Sequence, residues 1–208
     1  MPTLGYWKIR GLAAPIRLLL TYAGEEFEDV QYEVTDGPEF SRAAWNDVKP
    51  SMSDSLSFPN LPYYIDGDVK ITQSNAILRT IARKHNLDGE SVQEKAEVDM
   101  MLDQAMDLRN GVENLKADYF KNVQGILKDF EKRLDGRKWF GGNKVTVADF
   151  PMYELLDQHI RMQADSLDSY PRIKDFMARF SQLPKVKDYL AKDSVKKLPI
   201  NNKSATFK

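Results

Sequence analysis

Apolar residues recur along this chain in two rhythms, and the change between them falls near residue 85. Upstream, Thr3 to Ile9 (TLGYWKI) is a short strand-like run that stops before Gly11. Ile16, Leu19, Leu20 and Ala23 then keep the i, i+3, i+4, i+7 spacing of one helix face. Pro15 sits where such a helix opens and Gly24 where it closes. Asp29 to Val34 alternates weakly and predicts a second strand. Strand, helix and strand make a βαβ unit, hence parallel pairing. Tyr63–Asp66 and Val69–Thr72 read as two strands joined by Asp66-Gly67, a hairpin signal. Ser74 then caps a helix with Ile77, Leu78, Ile81 and Ala82 on one face. The expected order is β-α-β-α-β-β-α, an α/β domain.

From residue 92 onward the spacing is helical almost throughout. Val98, Met101, Leu102, Ala105, Leu108, Val112 and Leu115 form one long stripe in steps of three and four. Val123, Ile126, Leu127, Phe130 and Leu134 form a second. Phe150, Tyr153, Leu156 and Ile160 form a third, and Ile173, Phe176, Phe180 and Leu183 a fourth. Gly136, Gly141-Gly142, Pro171 and Pro184 punctuate them. This part of the chain predicts an all-α helix bundle. The polar segment Asn86–Ser91 reads as a linker, giving domains over 1–86 and 92–208. Ser51–Ser57 (SMSDSLS) reads as a solvated loop. No internal repeat is present.

Composition narrows the chemistry. Hydrophobic residues are 42% of the chain and aromatics 11%, enough for a sizeable core and too many for disorder. Lys and Arg number 30 against 31 Asp and Glu, a net charge of -1, so no global attraction to a phosphate backbone exists and nucleic acid is not expected as a partner. The chain has no cysteine, which excludes disulfides, thiolate zinc sites, iron–sulfur clusters and cysteine nucleophiles. Its two histidines, His85 and His159, are far apart in sequence and supply neither a Ser-His-Asp triad nor a histidine metal site well. The N-terminus carries Lys8 and Arg10 and no long apolar stretch. The longest aliphatic run is Leu18-Leu19-Leu20, far short of a bilayer span. A soluble cytoplasmic protein, with no membrane partner and no metal, is the expectation.

Single motifs carry two readings each. Tyr6-Trp7 at the end of the first strand fits ordinary core aromatics as well as a site. Asn60-Leu61-Pro62 fits a turn at a strand start, with the proline bond cis or trans. Gln73-Ser74 fits a plain helix cap, or an anion site at the free N–H groups of a helix N-terminus. Trp45 and Lys49 are four apart and either share one helical face or sit separately on the surface. Thr146-Val147-Ala148-Asp149 fits a capping box before an apolar run and reads as structural. His85 is expected to close a helix, and His159 to face a groove or solvent.

Taken together, LGYWKIRGLA at Leu4–Ala13, IRLLLTY at Ile16–Tyr22, the block FPNLPYYIDGDVKITQSNAILRTIARKHNL at Phe58–Leu87, MDLR at Met106–Arg109 and KVTVADF at Lys144–Phe150 resemble the cytosolic glutathione transferases, nearest the mu class. The resemblance covers essentially the whole chain. It implies a thioredoxin-like N-terminal domain followed by an all-helical C-terminal domain that holds the electrophile pocket. It also implies a detoxifying transferase that joins the thiolate of glutathione to hydrophobic electrophiles. Glutathione is then a co-substrate, with no permanently bound cofactor, and the protein is a homodimer. A non-catalytic carrier of apolar ligands and a crystallin-like structural protein are the alternatives within the same family.

The family's site residues carry over position by position. Tyr6 matches the catalytic tyrosine whose hydroxyl contacts the glutathione sulfur. Trp7 and Leu12 match neighbours of the bound peptide. Trp45 and Lys49, with Arg42, match residues that hold its glycine end. Asn60 and Leu61 match the segment beside a cis-proline, here Pro62, whose backbone pairs with the cysteinyl part as strands do. Gln73 and Ser74 match the grip on the γ-glutamyl end, and Asp107 an acidic residue that reaches the γ-glutamyl amine from the other subunit. Phe58 matches the aromatic that anchors the dimer. Relative to mu members, two extra residues sit in the Pro50–Ser57 loop and the stretch from Asp107 to Trp139 is shorter. A second tyrosine over the electrophile pocket matches a position near Ala117, and Tyr119 lies close by. The tail, LPINNKSATFK, is similar to pi-class ends.

Overall fold

The computed structural model describes residues 1–113 and 119–205. It divides into two compact units, Met1–Ile81 with Lys187–Lys208, and Ala82–Val186. The expected second domain ran from 92 to 208. In the structure its last segment, from Lys187, is part of the first unit instead.

The first unit is built on strand β1 (Thr3–Trp7), helix α1 (Ala14–Ala23) and strand β2 (Glu28–Tyr32). Short helix α2 (Ala43–Asn46) and a 3₁₀ turn (Lys49–Asp54) follow, then strands β3 (Tyr63–Asp66) and β4 (Val69–Thr72) and helix α3 (Ser74–Lys84). The sheet order is β2-β1-β3-β4, with β1 parallel to β2 and the β3–β4 hairpin antiparallel. This is the expected α/β order. Pro15 stands in the first turn of α1, and Gly24 ends it at φ 73, a left-handed cap that glycine adopts without a Cβ penalty.

Local boundaries differ from the sequence reading for identifiable reasons. β1 stops at Trp7 because the Ile9 N–H turns back to the Trp7 carbonyl at 2.7 Å, which takes it off the ladder. Ser74 is the first helical residue, and Gln73 occupies the cap position at φ 74. Ser51–Ser57 is not a plain solvated loop: it carries most of the 3₁₀ turn and buries Leu56.

The second unit is helical as expected: α4 (Val92–Glu113), α5 (Tyr119–Asn122), α6 (Gln124–Arg133), α7 (Asp149–Met162) and α8 (Pro171–Ser181). Further on are α9 (Val186–Ala191) and α10 (Asp193–Lys196). Along α4, Val98, Met101, Leu102, Ala105 and Leu108 are all buried, and Leu115 lies outside the described residues. Ile126 and Ile160, at the edges of their stripes, are exposed. Phe140, Phe176 and Phe180 stack edge-on and tilted at 4.8 and 5.9 Å and join Phe130 and Trp139 in one aromatic core. No described helix is long and apolar enough to cross a membrane.

His159 overturns its sequence reading. It has no exposed surface, where a groove or solvent was expected. Its Nδ1 lies 2.7 Å from the Leu155 carbonyl, which only accepts, so Nδ1 carries the hydrogen. Nε2 then accepts from the Tyr119 hydroxyl at 2.6 Å. The ring is thus held neutral, and burial pushes its pKa below the ordinary value. A depressed histidine adds stability above its unfolded pKa of about 6.5, and that stability is lost as pH falls below it. Urea denaturation should therefore show the stability gap between the parent and His159→Gln closing on acidification. A gap constant down to about pH 5, well below that unfolded value, would remove His159 from the acid response.

Candidate active site

The strand registers gather the candidate residues at one end of the sheet. Gly5 pairs with Tyr63, and Tyr63 pairs with Thr72. The next residues outward are therefore Tyr6 on β1, Pro62 before β3 and Gln73 after β4. Tyr32, at the end of β2, pairs with Trp7 in the same register. Four segments remote in sequence thus leave the sheet together, at the carboxyl end of β1, where open α/β sheets hold ligands.

Tyr6 is buried, with 6% of its surface exposed. The Leu12 backbone N–H donates to its hydroxyl oxygen at 3.1 Å. A phenol that accepts a hydrogen bond is polarised into a better donor. Gly11 makes this geometry attainable. Its φ is +41°, and a Cβ there would stand 2.7 Å from the Tyr6 ring and hydroxyl. The same loop is strapped from the far end of the chain: the Arg10 N–H donates to the Pro199 carbonyl at 2.8 Å, and the Gly11 N–H to that of the buried Ile200 at 3.0 Å. Gly11→Ala should cost about 1–3 kcal/mol in stability from backbone strain alone and should also displace the Tyr6 hydroxyl. Thermal denaturation checks the first effect, and the pH dependence of turnover checks the second. A variant that melts and titrates like the parent would mean that the loop tolerates a Cβ there.

Trp45, from α2, is buried rather than open. Its ring stacks on Tyr63 at 6.0 Å and meets Tyr32 edge-on at 5.3 Å. The Tyr32 and Tyr63 hydroxyls are 3.1 Å apart, and burial pushes the Tyr63 pKa up. This triad ties α2 to the sheet and leaves Arg42 and Lys49 exposed on either side of Trp45. Trp7 and Leu12 are half-buried.

The Leu61–Pro62 bond is cis. Leu61 and Pro62 are buried, Asn60 is exposed, and the Asn60 Oδ1 accepts the Leu61 N–H at 2.9 Å. Gln73 is exposed and left-handed, a strain that persists where surroundings over-determine the chain, as ligand sites do. Its carbonyl accepts the first helical bond of α3, from the Ile77 N–H at 2.9 Å. Ser74 behind it is buried. The positive end of α3 therefore opens beside an exposed amide, a suitable place for a carboxylate.

Two further candidates, Asp107 and Phe58, belong to other elements. Asp107 is exposed on α4, in the second unit, and accepts from Gln104 Nε2 at 3.3 Å. Phe58 is 79% exposed, and its backbone is held by the Thr72 hydroxyl, which donates to the Phe58 carbonyl at 3.0 Å. The position near Ala117 lies outside the described residues. No group of three or more potential metal ligands gathers among the described residues.

Sequence reasoning missed three supporting features: the strap at Pro199 and Ile200, the Tyr32–Trp45–Tyr63 triad, and a part-buried ion pair between Arg17 and Asp29. In that pair Arg17, 1% exposed, directs Nε at both Asp29 oxygens at 3.0 and 3.1 Å and Nη1 at the Ile9 carbonyl at 2.7 Å. An arginine interrupting the apolar run Ile16–Leu20 was the one available signal.

The fold defines a thioredoxin-like domain joined to a helical domain, and comparison with known proteins agrees. Residues 2–83 match the glutathione S-transferase N-terminal domain, and residues 100–193 match the C-terminal domain. The chain is 45% identical to mouse glutathione S-transferase Mu 4, over 99% of this chain and 97% of the relative. It is 46% identical to human glutathione S-transferase Mu 3, over 98% and 94%. Among solved structures, the glutathione S-transferase Blo t 8 superposes with a TM-score of 0.87 at 31% identity, covering 98% of both chains. The pi-class enzyme of Onchocerca volvulus gives 0.83 at 33%, covering 98% of this chain and 99% of the other. The chain belongs to the glutathione S-transferase family.

Proposed function

We propose that this chain is a transferase that joins the sulfur of glutathione to hydrophobic electrophiles, with Tyr6 activating the thiol. The observation that carries this reading is the Tyr6 hydroxyl at the carboxyl end of β1, polarised by the Leu12 N–H. The phenol donates its hydrogen to the glutathione sulfur and favours the thiolate, the true nucleophile. The thiolate attacks an electrophilic carbon, the leaving group departs with its electron pair, and the thiol proton goes to solvent.

The remaining candidates bind the tripeptide around that sulfur. The γ-glutamyl carboxylate sits at the N-terminus of α3, between Gln73 and Ser74, where the helix end favours negative charge. The cysteinyl backbone pairs with Leu61 in strand fashion, and the Asn60 amide turns aside to release the Leu61 N–H. The glycine carboxylate meets the cations Arg42 and Lys49, flanking the fixed Trp45. Asp107 of the partner subunit takes the γ-glutamyl amine, and Trp7 and Leu12 line the bound peptide. The protein acts in the cytoplasm as a homodimer. The direct test is a glutathione-dependent conjugation assay with a chloronitrobenzene. Saturable product formation is the expected result; glutathione binding without turnover would favour the carrier reading.

Phe58 anchors that dimer. A ring left 79% exposed on a tethered backbone is costly for a monomer and is the kind of group that forms interface hot spots. Phe58→Ala should weaken association by at least about 2 kcal/mol, or about thirtyfold in the dimer dissociation constant. Sedimentation across a dilution series reads this directly. A variant as tightly dimeric as the parent would exclude the anchor, and a parent that is active as a monomer would exclude the cross-subunit Asp107 as well.

A further inference from the structure

The Tyr6 hydroxyl is polarised by one backbone N–H, that of Leu12, and the peptide carrying it lies between β1 and α1, in neither element. A connection that contains Gly11 at φ +41° has a wide range of backbone conformations open to it. Yet every N–H from Ile9 to Leu12 is committed. The Ile9 N–H donates to the Trp7 carbonyl at 2.7 Å, the Arg10 N–H to the Pro199 carbonyl at 2.8 Å and the Gly11 N–H to the Ile200 carbonyl at 3.0 Å. The Leu12 N–H then meets the Tyr6 hydroxyl at 3.1 Å. The Ile9 carbonyl is taken as well, by Arg17 Nη1 at 2.7 Å. Two of these holds come from side chains that are themselves fixed. Arg17 is 1% exposed, and its Nε lies 3.0 and 3.1 Å from the two oxygens of Asp29, which also accepts from Gln31 Nε2 at 2.6 Å. The Ile200 side chain is buried and sets where the Pro199 and Ile200 carbonyls stand.

We propose that Arg17 and Ile200 are positioning residues for the transfer reaction, which clamp Ile9–Leu12 and so hold the Leu12 N–H on the Tyr6 hydroxyl. The inference rests on the reading of Tyr6 as the activator of the thiol. Neither residue is among those assigned to glutathione, so both act through the phenol. An N–H···O bond weakens as it lengthens and bends, and the polarisation it gives the phenol weakens with it. A loop released at Ile9 or at Gly11 carries Leu12 with it, because the peptides are consecutive. A site on a loop is only as precise as the groups that support the loop. A merely structural role for either residue would lower stability and leave the titration of the bound thiol where it was.

The test uses Arg17→Lys and Ile200→Ala in the full chain. Lysine keeps a positive charge beside Asp29 but lacks the planar fork that reaches Asp29 and the Ile9 carbonyl together. Alanine keeps the Ile200 carbonyl and removes the side chain that anchors it. Each variant should raise the pKa of bound glutathione by about one unit and lower turnover about fivefold at pH 6.5, a deficit that fades above about pH 9. The KM for glutathione should stay near the parent's. Turnover against pH and the ultraviolet absorbance of the bound thiolate read these effects. In a Tyr6→Phe background the same substitutions should leave the thiol's titration where Tyr6→Phe alone puts it. Variants that melt lower but titrate like the parent would overturn the proposal by making the clamp structural only. A further shift in the Tyr6→Phe background would overturn it by giving the two residues a route to the sulfur that avoids the phenol. If Arg17→Lys does not fold, Ile200→Ala decides alone. A Tyr6→Phe protein that titrates like the parent would reject the reading of Tyr6 and the clamp with it, whereas a shift in Tyr6→Phe and none in the clamp variants would reject the clamp alone.

Discussion

Tyr6→Phe is expected to lower conjugation about 25-fold at neutral pH while leaving glutathione affinity nearly intact. A free thiol of pKa about 8.5 is only about 3% thiolate at pH 7. A hydrogen bond to a charged acceptor contributes about 1.5–3 kcal/mol, enough to lower that pKa by about two units, for which roughly 2.7 kcal/mol is needed. At a pKa near 6.5 the thiol is about three-quarters ionised, and the ratio of the two fractions gives the expected loss. Phenylalanine keeps the ring packed against Gly11 and removes only the donor. The loss should fade as pH rises above about 9, where a free thiol ionises unaided. The measurement is turnover against pH, with the titration of the bound thiol followed by its ultraviolet absorbance. Unchanged turnover at neutral pH would mean that another group activates the sulfur, and an equal loss at every pH would mean that Tyr6 acts by position alone.

Asp149→Ala is expected to destabilise the second unit by about 4 kcal/mol, the sum for two buried backbone N–H groups left without acceptors at about 1–3 kcal/mol each. The Asp149 carboxyl has no exposed surface. Oδ1 accepts the Phe140 N–H and Oδ2 the Thr146 N–H, each at 2.8 Å. The reciprocal bond from the Asp149 N–H to the Thr146 carbonyl, 3.1 Å, closes the turn. The group therefore joins the loop holding Phe140, part of the aromatic core, to the first turn of α7. Burial pushes its pKa up to about 7. A carboxyl raised in this way adds most stability below its unfolded pKa of about 3.9, and that contribution falls as pH rises through about 7. The substitution should therefore cost more near pH 5, between those two values, than near pH 8, above both. Urea denaturation at both pH values measures it, and a cost below about 1 kcal/mol would mean that water replaces the carboxyl. Folded variant should conjugate normally, because no atom of this network belongs to the proposed glutathione site.

These two residues show how differently a site and a scaffold are written in a chain. Half of the capping box read at Thr146–Asp149 forms, because both partners lie within four residues: the Asp149 carboxylate takes the Thr146 N–H. The Asp149 N–H goes to the Thr146 carbonyl rather than its hydroxyl, and Ala148 holds the cap position of α7. The second carboxylate oxygen's partner, Phe140, is nine residues away and belongs to no motif. Tyr6 was legible as a site only through its resemblance to a family, because a tyrosine ending a strand reads equally well as core.

Sequence alone determined the element order, the hairpin at Asp66-Gly67, the helical second half and the buried stripes, down to the Val98–Leu108 face of α4. Each is a statement about neighbours on one element, where side-chain periodicity records which face meets the core. Only the tertiary structure decided what distant segments do to one another. It buried His159 on a bond to Tyr119 and withdrew Leu56 from a serine-rich stretch. It left Phe58 exposed, and it joined Lys187–Lys208 to the first unit through the carbonyls of Pro199 and Ile200. That strap is made by backbone atoms, which every residue carries alike, so nothing in the identity of either segment could announce it.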